Sequence, residues 1–161
     1  MECKAFTSKY DGISNRLMND VIVSYNGKSV KTKALWDTGA SGTNISKQIA
    51  EELELVPTGK VRNMTAGGVT VNDTYLVNVE LPNKVIVEDI KVVASEIGNQ
   101  GLGVLLGMDI IATGDFSISN KNGKTVLTFR TPSQKTTDYV EEIRIDKLVG
   151  HHGKGNKKHH K

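Results

Sequence analysis

Cysteine is almost missing: Cys3 is the only one in 161 residues, so no disulfide can form within the chain and a reducing compartment fits. Long apolar runs are missing too. No stretch approaches the roughly 18 residues of a membrane-crossing helix, and the opening "MECKAFTSKYDG" has no apolar segment of the secretory type. These absences predict a soluble, cytoplasmic protein with no membrane association. No internal repeat is present. Aromatic residues make up only 5% of the chain, whereas Val, Ile, Thr, Gly and Asn are frequent, a mixture that favours strands and tight turns. Neither sign of charge dominates. The formal net charge is +3, but the last eleven residues, "HHGKGNKKHHK", hold four lysines and no acid. Taking those four from 21 basic residues leaves 17 against 18 acidic ones, a body near −1 with no nucleic-acid character. Weak, non-specific nucleic-acid contact through the tail is the most this charge implies. All four histidines also lie in the tail (His151, His152, His159, His160), where nothing fixes a ligand geometry. No metal site and no cofactor are expected.

What is present reads as strands and turns. In "MNDVIVSYNGKSVKTKALWD", Val21, Val23 and Tyr25 alternate, Asn26-Gly27 is a strong hairpin signal, and Val30 to Trp36 returns. "SKQIAEELEL" predicts a short helix capped by Ser46, with Ile49, Ala50 and Leu53 on one face, ended by Pro57 and Gly59. A β pattern broken at Gly67-Gly68 predicts a hairpin with a mobile tip. "KVIVEDIKVVAS" reads as two short strands, Met108 to Ala112 as a helical turn, and "DFSISNKNGKTVLTFR" as a closing hairpin turning at Asn122-Gly123. "YVEEIRIDKLVG" is weakly amphipathic and is left open as strand or helix. The expected organisation is a domain over 1–132, an extension over 133–150, and a basic tail over 151–161 without order. The expected fold is all-β, a closed barrel or sandwich with one or two short helices.

Chemistry concentrates in "ALWDTGASGTNIS", residues 34–46, where Asp37 follows an apolar run and precedes small residues. Alone, Asp37 reads more readily as a strand-end turn residue than as a carboxylate held in a fixed place, since Asp-Thr-Gly suits a turn. A second motif, "VLLGMDII", sets Leu105 and Leu106 before Gly107 and a short helix. Asp37-Thr38-Gly39-Ala40 together with this run resembles the retropepsin-like aspartic proteases, single-domain relatives of pepsin, and the order of elements agrees over residues 20–132.

The resemblance implies peptide hydrolysis by two aspartates. One carboxylate takes a proton from water while the other, protonated, supplies one to the carbonyl oxygen. Like charges at close range resist joint ionisation, so the pair shares a proton over a broad pH range. This chain has no second Asp-Thr-Gly; the partner must then be Asp37 of another copy across a two-fold axis, which predicts a C2 homodimer. In the resemblance, Asp37 is catalytic, Thr38 hydrogen-bonds across the dimer, and Gly39 and Ala40 complete the loop. Leu105, Leu106 and Gly107 support it from behind, and Ala66, Gly67 and Gly68 form the flap over a polypeptide substrate. Ala40 stands where pepsin-type enzymes carry Ser or Thr, so a donor to the carboxylate is missing and a weakly acidic activity range is expected. Ser41 and Met108 occupy the places of an acid and an arginine that pair in viral relatives, so that ion pair is absent here. The reading is an aspartic endopeptidase cutting between apolar side chains. The alternative is a silent module of the same fold that dimerises or binds peptide without cutting. Trp36 reads as core or dimer packing, Gly67-Gly68 alone as an ordinary turn, and "GNQGLG" as a plain loop, since no Lys-Ser/Thr follows it.

Overall fold

The structure, a computed structural model, describes residues 2–65 and 68–152. The central feature is a barrel. Strands β2 (Met18–Tyr25) and β3 (Lys28–Trp36) form the predicted hairpin, with Asn26 at φ 46° and Gly27 at φ 79°. Two successive left-handed residues make the turn whose twist matches the flanking strands, and Asn-Gly is the pair that tolerates it. Next come β4 (Asn44–Ser46), α1 (Lys47–Glu52), β5 (Gly59–Thr65), β6 (Gly68–Glu80), β7 (Ile86–Ser95) and β8 (Val104–Leu106). The hydrogen-bonded order is β2-β3-β8-β4-β7-β6-β5, and β6 returns to β2 through Ile22↔Glu80, Val23↔Val79 and Ser24↔Asn78. That return closes six strands into a ring and leaves β5 outside it, paired only with β6 as a projecting hairpin.

Inward residues of every strand fill the ring. Val21, Val23, Ala34, Ile45, Val77, Val79, Val92, Val104 and Leu106 are all buried, as strand alternation around one core demands. Helix α1 plugs one end. Ser46 accepts a hydrogen bond from the Ile49 amide at 3.3 Å, and Ile49, Ala50 and Leu53 turn inward as the sequence predicts.

A second, three-stranded sheet has the order β1-β10-β9, built from β1 (Lys4–Lys9), β9 (Asp115–Ser119) and β10 (Val126–Thr131). Its inner face packs on the barrel through rings: Phe6, Phe116 and Phe129 surround Trp36 at centroid distances of 5.9, 5.4 and 5.1 Å. Trp36 is therefore core packing within one protomer, 5% exposed. Strand β1 was not expected from the sequence.

One expectation is corrected. Residues 86–95 form one strand, β7, rather than two. Between the pairs Val77↔Ile90 and Val79↔Val87 it carries an extra residue, with Asp89 at φ 50° and its amide on the Asn78 side-chain oxygen. This bulge places Glu88 and Asp89 where a turn would be read, while the pairing continues. The extension contains α3 (Tyr139–His152), a helix whose residues 139–150 are exposed. The helix ends at His152, and the rest of the tail lies outside the described residues. Among the described residues, no helix is long and apolar enough to cross a membrane.

Candidate active site

Asp37 leaves the end of β3 at the point where that strand runs parallel to β8, in the register Leu35↔Leu105 and Trp36↔Leu106. Its own amide continues the ladder, donating to the Leu106 carbonyl at 2.9 Å. The chain then turns sharply. Asp37 Oδ1 accepts from the Gly39 amide at 2.9 Å, and the Asp37 carbonyl accepts from the Ala40 amide at 3.2 Å. The turn that the sequence suggests and the held carboxylate are thus the same structure. Among the described residues, no side chain of the protomer donates to the carboxylate, and Asp37 is half-buried.

The loop is anchored from behind by the second motif. The Ala40 carbonyl accepts from the Met108 amide at 2.8 Å. Gly107 is buried with its α-carbon against the loop: a β-carbon there would lie 2.5 Å from the Gly42 carbonyl carbon and 3.0 Å from the Ala40 oxygen. Only glycine permits this approach. Leu106 is fully buried and Leu105 half-buried, so the apolar pair fastens β8 while Gly107 opens room for the loop. Helix α2 (Met108–Ile111) follows at once, burying Ile110 and Ile111.

The structure therefore brings together Asp37, Thr38, Gly39, Ala40, Leu105, Leu106 and Gly107. Thr38 is exposed at the rim, and among the described residues its hydroxyl makes no bond within its own protomer. Of the predicted flap residues, Ala66 and Gly67 lie outside the described residues. Gly68 pairs with Thr65 at the end of the β5–β6 hairpin and has φ 115°. Near that end Met64 is 90% exposed and Val69 62%. Such apolar exposure on a two-stranded projection is unusual unless something covers it.

Sequence reasoning missed a polar link beside the loop. Thr43, 1% exposed, donates its amide to Asp109 Oδ2 at 2.9 Å and its hydroxyl to Asp109 Oδ1 at 2.7 Å. Its hydroxyl also accepts from the Gly107 amide at 3.2 Å. The available signal was an acid in the first turn of a short helix directly after the glycine motif. Trp36 is fixed in a similar way, its indole N–H donating to Asn19 Oδ1 at 2.9 Å.

A family model described as aspartyl protease matches residues 21–110. No curated protein matches the sequence. Among solved structures, the chain is similar to a retropepsin-like aspartic protease from Rickettsia conorii, at 20% identity and a TM-score of 0.51, covering 81% of this chain and 96% of that one. Simian foamy virus (mac) protease aligns at 23% identity with a TM-score of 0.44, over 58% of this chain and 92% of that one. The retroviral protease-like domain of Ddi1 from Leishmania major aligns at 18% identity and 0.41, over 70% and 93%. The likeness to the first of these is one of fold.

Proposed function

The chain belongs to the aspartyl protease family, with more than half its length matched by the family model, and from that premise we propose that it is an aspartic endopeptidase acting as a two-fold homodimer. One observation carries the reading. Asp37 stands on a loop pinned at both its amide and its tip, yet among the described residues its carboxylate meets only the Gly39 amide. A carboxylate so fixed and so lightly bonded is free to receive a water proton, and lacks only a second acid.

The second acid is Asp37 of the partner copy. With one proton shared, the ionised carboxylate removes a proton from water as its oxygen attacks the peptide carbonyl, and the protonated one gives its proton to the carbonyl oxygen. The tetrahedral intermediate collapses when a proton reaches the amide nitrogen and the C–N bond breaks. Thr38 bonds across the two-fold axis beneath the pair. The β5–β6 hairpin, which reaches Gly68, acts as the flap that closes over an extended peptide and excludes water. Exposed Met64 and Val69 suit apolar side chains in that peptide.

The test is digestion of a mixed peptide library between pH 3 and 8 by wild type and by Asp37→Asn at matched concentration. Cleavage by wild type alone, between apolar residues, is the expected result. An inert wild type that still binds peptides would identify a binding module of the same fold.

A further inference from the structure

We propose that Asp109 and Thr43 form the positioning pair that holds the Asp37 loop in its catalytic geometry; this rests on the endopeptidase reading above. The loop 37–43 is fastened at its start, at its tip and at its far end. At its start the Asp37 amide meets the Leu106 carbonyl, and at its tip the Ala40 carbonyl meets the Met108 amide. Both are backbone contacts that many sequences could make. At its far end the Thr43 carbonyl accepts from the Val93 amide at 3.3 Å, and the fastening that specifies residue types there is made with side chains.

The geometry requires a carboxylate. Asp109 Oδ2 accepts from the Thr43 amide, and Oδ1 accepts from both the Thr43 hydroxyl and the Ile110 amide at 2.9 Å. Each oxygen thus faces at least one backbone N–H. An asparagine in either orientation would turn its own N–H toward one of those amides, so the isosteric change loses a bond and opposes two donors. Thr43 requires a hydroxyl for the same kind of reason. Its oxygen gives its proton to Asp109 and accepts from the Gly107 amide, at the glycine against which the loop packs. The pair therefore ties loop, β8–α2 junction and first turn of α2 into one unit. It occupies the side of the loop where Ser41 and Met108 supply no ion pair. Small displacements of a reacting group cost heavily in rate, and this network joins the buried Thr43 to an Asp109 that reaches the surface, holding the loop end in one arrangement.

Asp109→Asn, Thr43→Val and Thr43→Ser are compared with wild type on a cleaved peptide. The expected result is a kcat lower by about tenfold to a hundredfold for Asp109→Asn and Thr43→Val. KM should stay within about threefold, and Thr43→Ser should restore most of the rate because it keeps the hydroxyl. An unchanged kcat in Thr43→Val, or Thr43→Ser as impaired as Thr43→Val, overturns the inference. Amide hydrogen exchange gives a readout independent of turnover. Gly39 and Ala40 should exchange at least about tenfold faster in Thr43→Val while β7 amides stay protected. Equal protection in both proteins overturns the positioning role. If wild type is as inert as Asp37→Asn, the endopeptidase reading fails, and the exchange rates alone decide for or against the pair.

Discussion

At the scale of single residues, the site depends on what is left out as much as on what is supplied. Gly107 has no side chain because the backbone of Gly42 occupies that space, so Gly107→Ala must push the loop or β8 apart. The expected cost is about 1–3 kcal/mol in urea unfolding, with loss of cleavage. Gly12→Ala, where nothing lies within 4 Å of the new methyl, is the control and should unfold close to wild type. Ala40 is the complementary case. Its carbonyl is used and its methyl donates nothing, so Ala40→Ser adds a hydroxyl where the resemblance puts a donor to the carboxylate, and leaves the backbone contact to Met108 in place. A donor favours the ionised acid, and the acid limb of the cleavage profile should therefore move to lower pH. A limb that stays in place, or moves up, contradicts the role assigned to Ala40.

At the scale of elements, the strap that follows β10 has its own fastening. Asp115, at the start of β9, accepts from the Ser133 hydroxyl, from the Gln134 amide at 2.8 Å and from the Arg130 guanidinium at 2.6 Å. These donors, the Ser133 hydroxyl foremost, hold its carboxyl well below the usual carboxylate range. A carboxylate depressed in the folded state stabilises that state above its ordinary pKa of about 3.9, and the contribution fades only as pH falls through the lower folded value. The strap should accordingly remain docked at pH 4. In Asp115→Asn the latch is broken at every pH, and trypsin should cut after Lys135 several-fold faster than in wild type. Equal cutting rates would show that the strap is held elsewhere. The sequence made the elements legible wherever a local rule acts: Asn26-Gly27 for the hairpin, Ser46 for the helix cap. It misled where a tertiary partner decides. Glu88-Asp89 looks like a turn but is a bulge, because β6 keeps pairing on both sides of it. Lys4–Lys9 carries little strand signal of its own, and β1 exists because β10 offers it a full edge.

At the scale of the whole molecule, the candidate site was legible to the extent that it is contiguous. The Asp37 loop and the Leu105-Leu106-Gly107 run are each short strings, and the parallel pairing of β3 with β8 joins them. The link from Thr43 to Asp109 was not legible, since two residues 66 apart in sequence share no local pattern. One chain also supplies one Asp37, so the endopeptidase reading requires that the dyad be made where two copies meet. The ion pair that the resemblance gives viral relatives cannot form between Ser41 and Met108, which in the proposed dimer removes one source of strength. Activity should then depend on concentration. On dilution through the dimer dissociation constant, the rate per enzyme should fall in proportion to concentration, approaching a second-order dependence in total enzyme. Mixing gives a sharper test. With Asp37→Asn in threefold excess over a fixed amount of wild type, random pairing leaves only about a quarter of wild-type chains with a competent partner, and the rate should fall to about that fraction. A rate unaffected by the inactive variant, after time for subunit exchange, would mean that each chain works alone and that Asp37 finds its second acid within its own protomer.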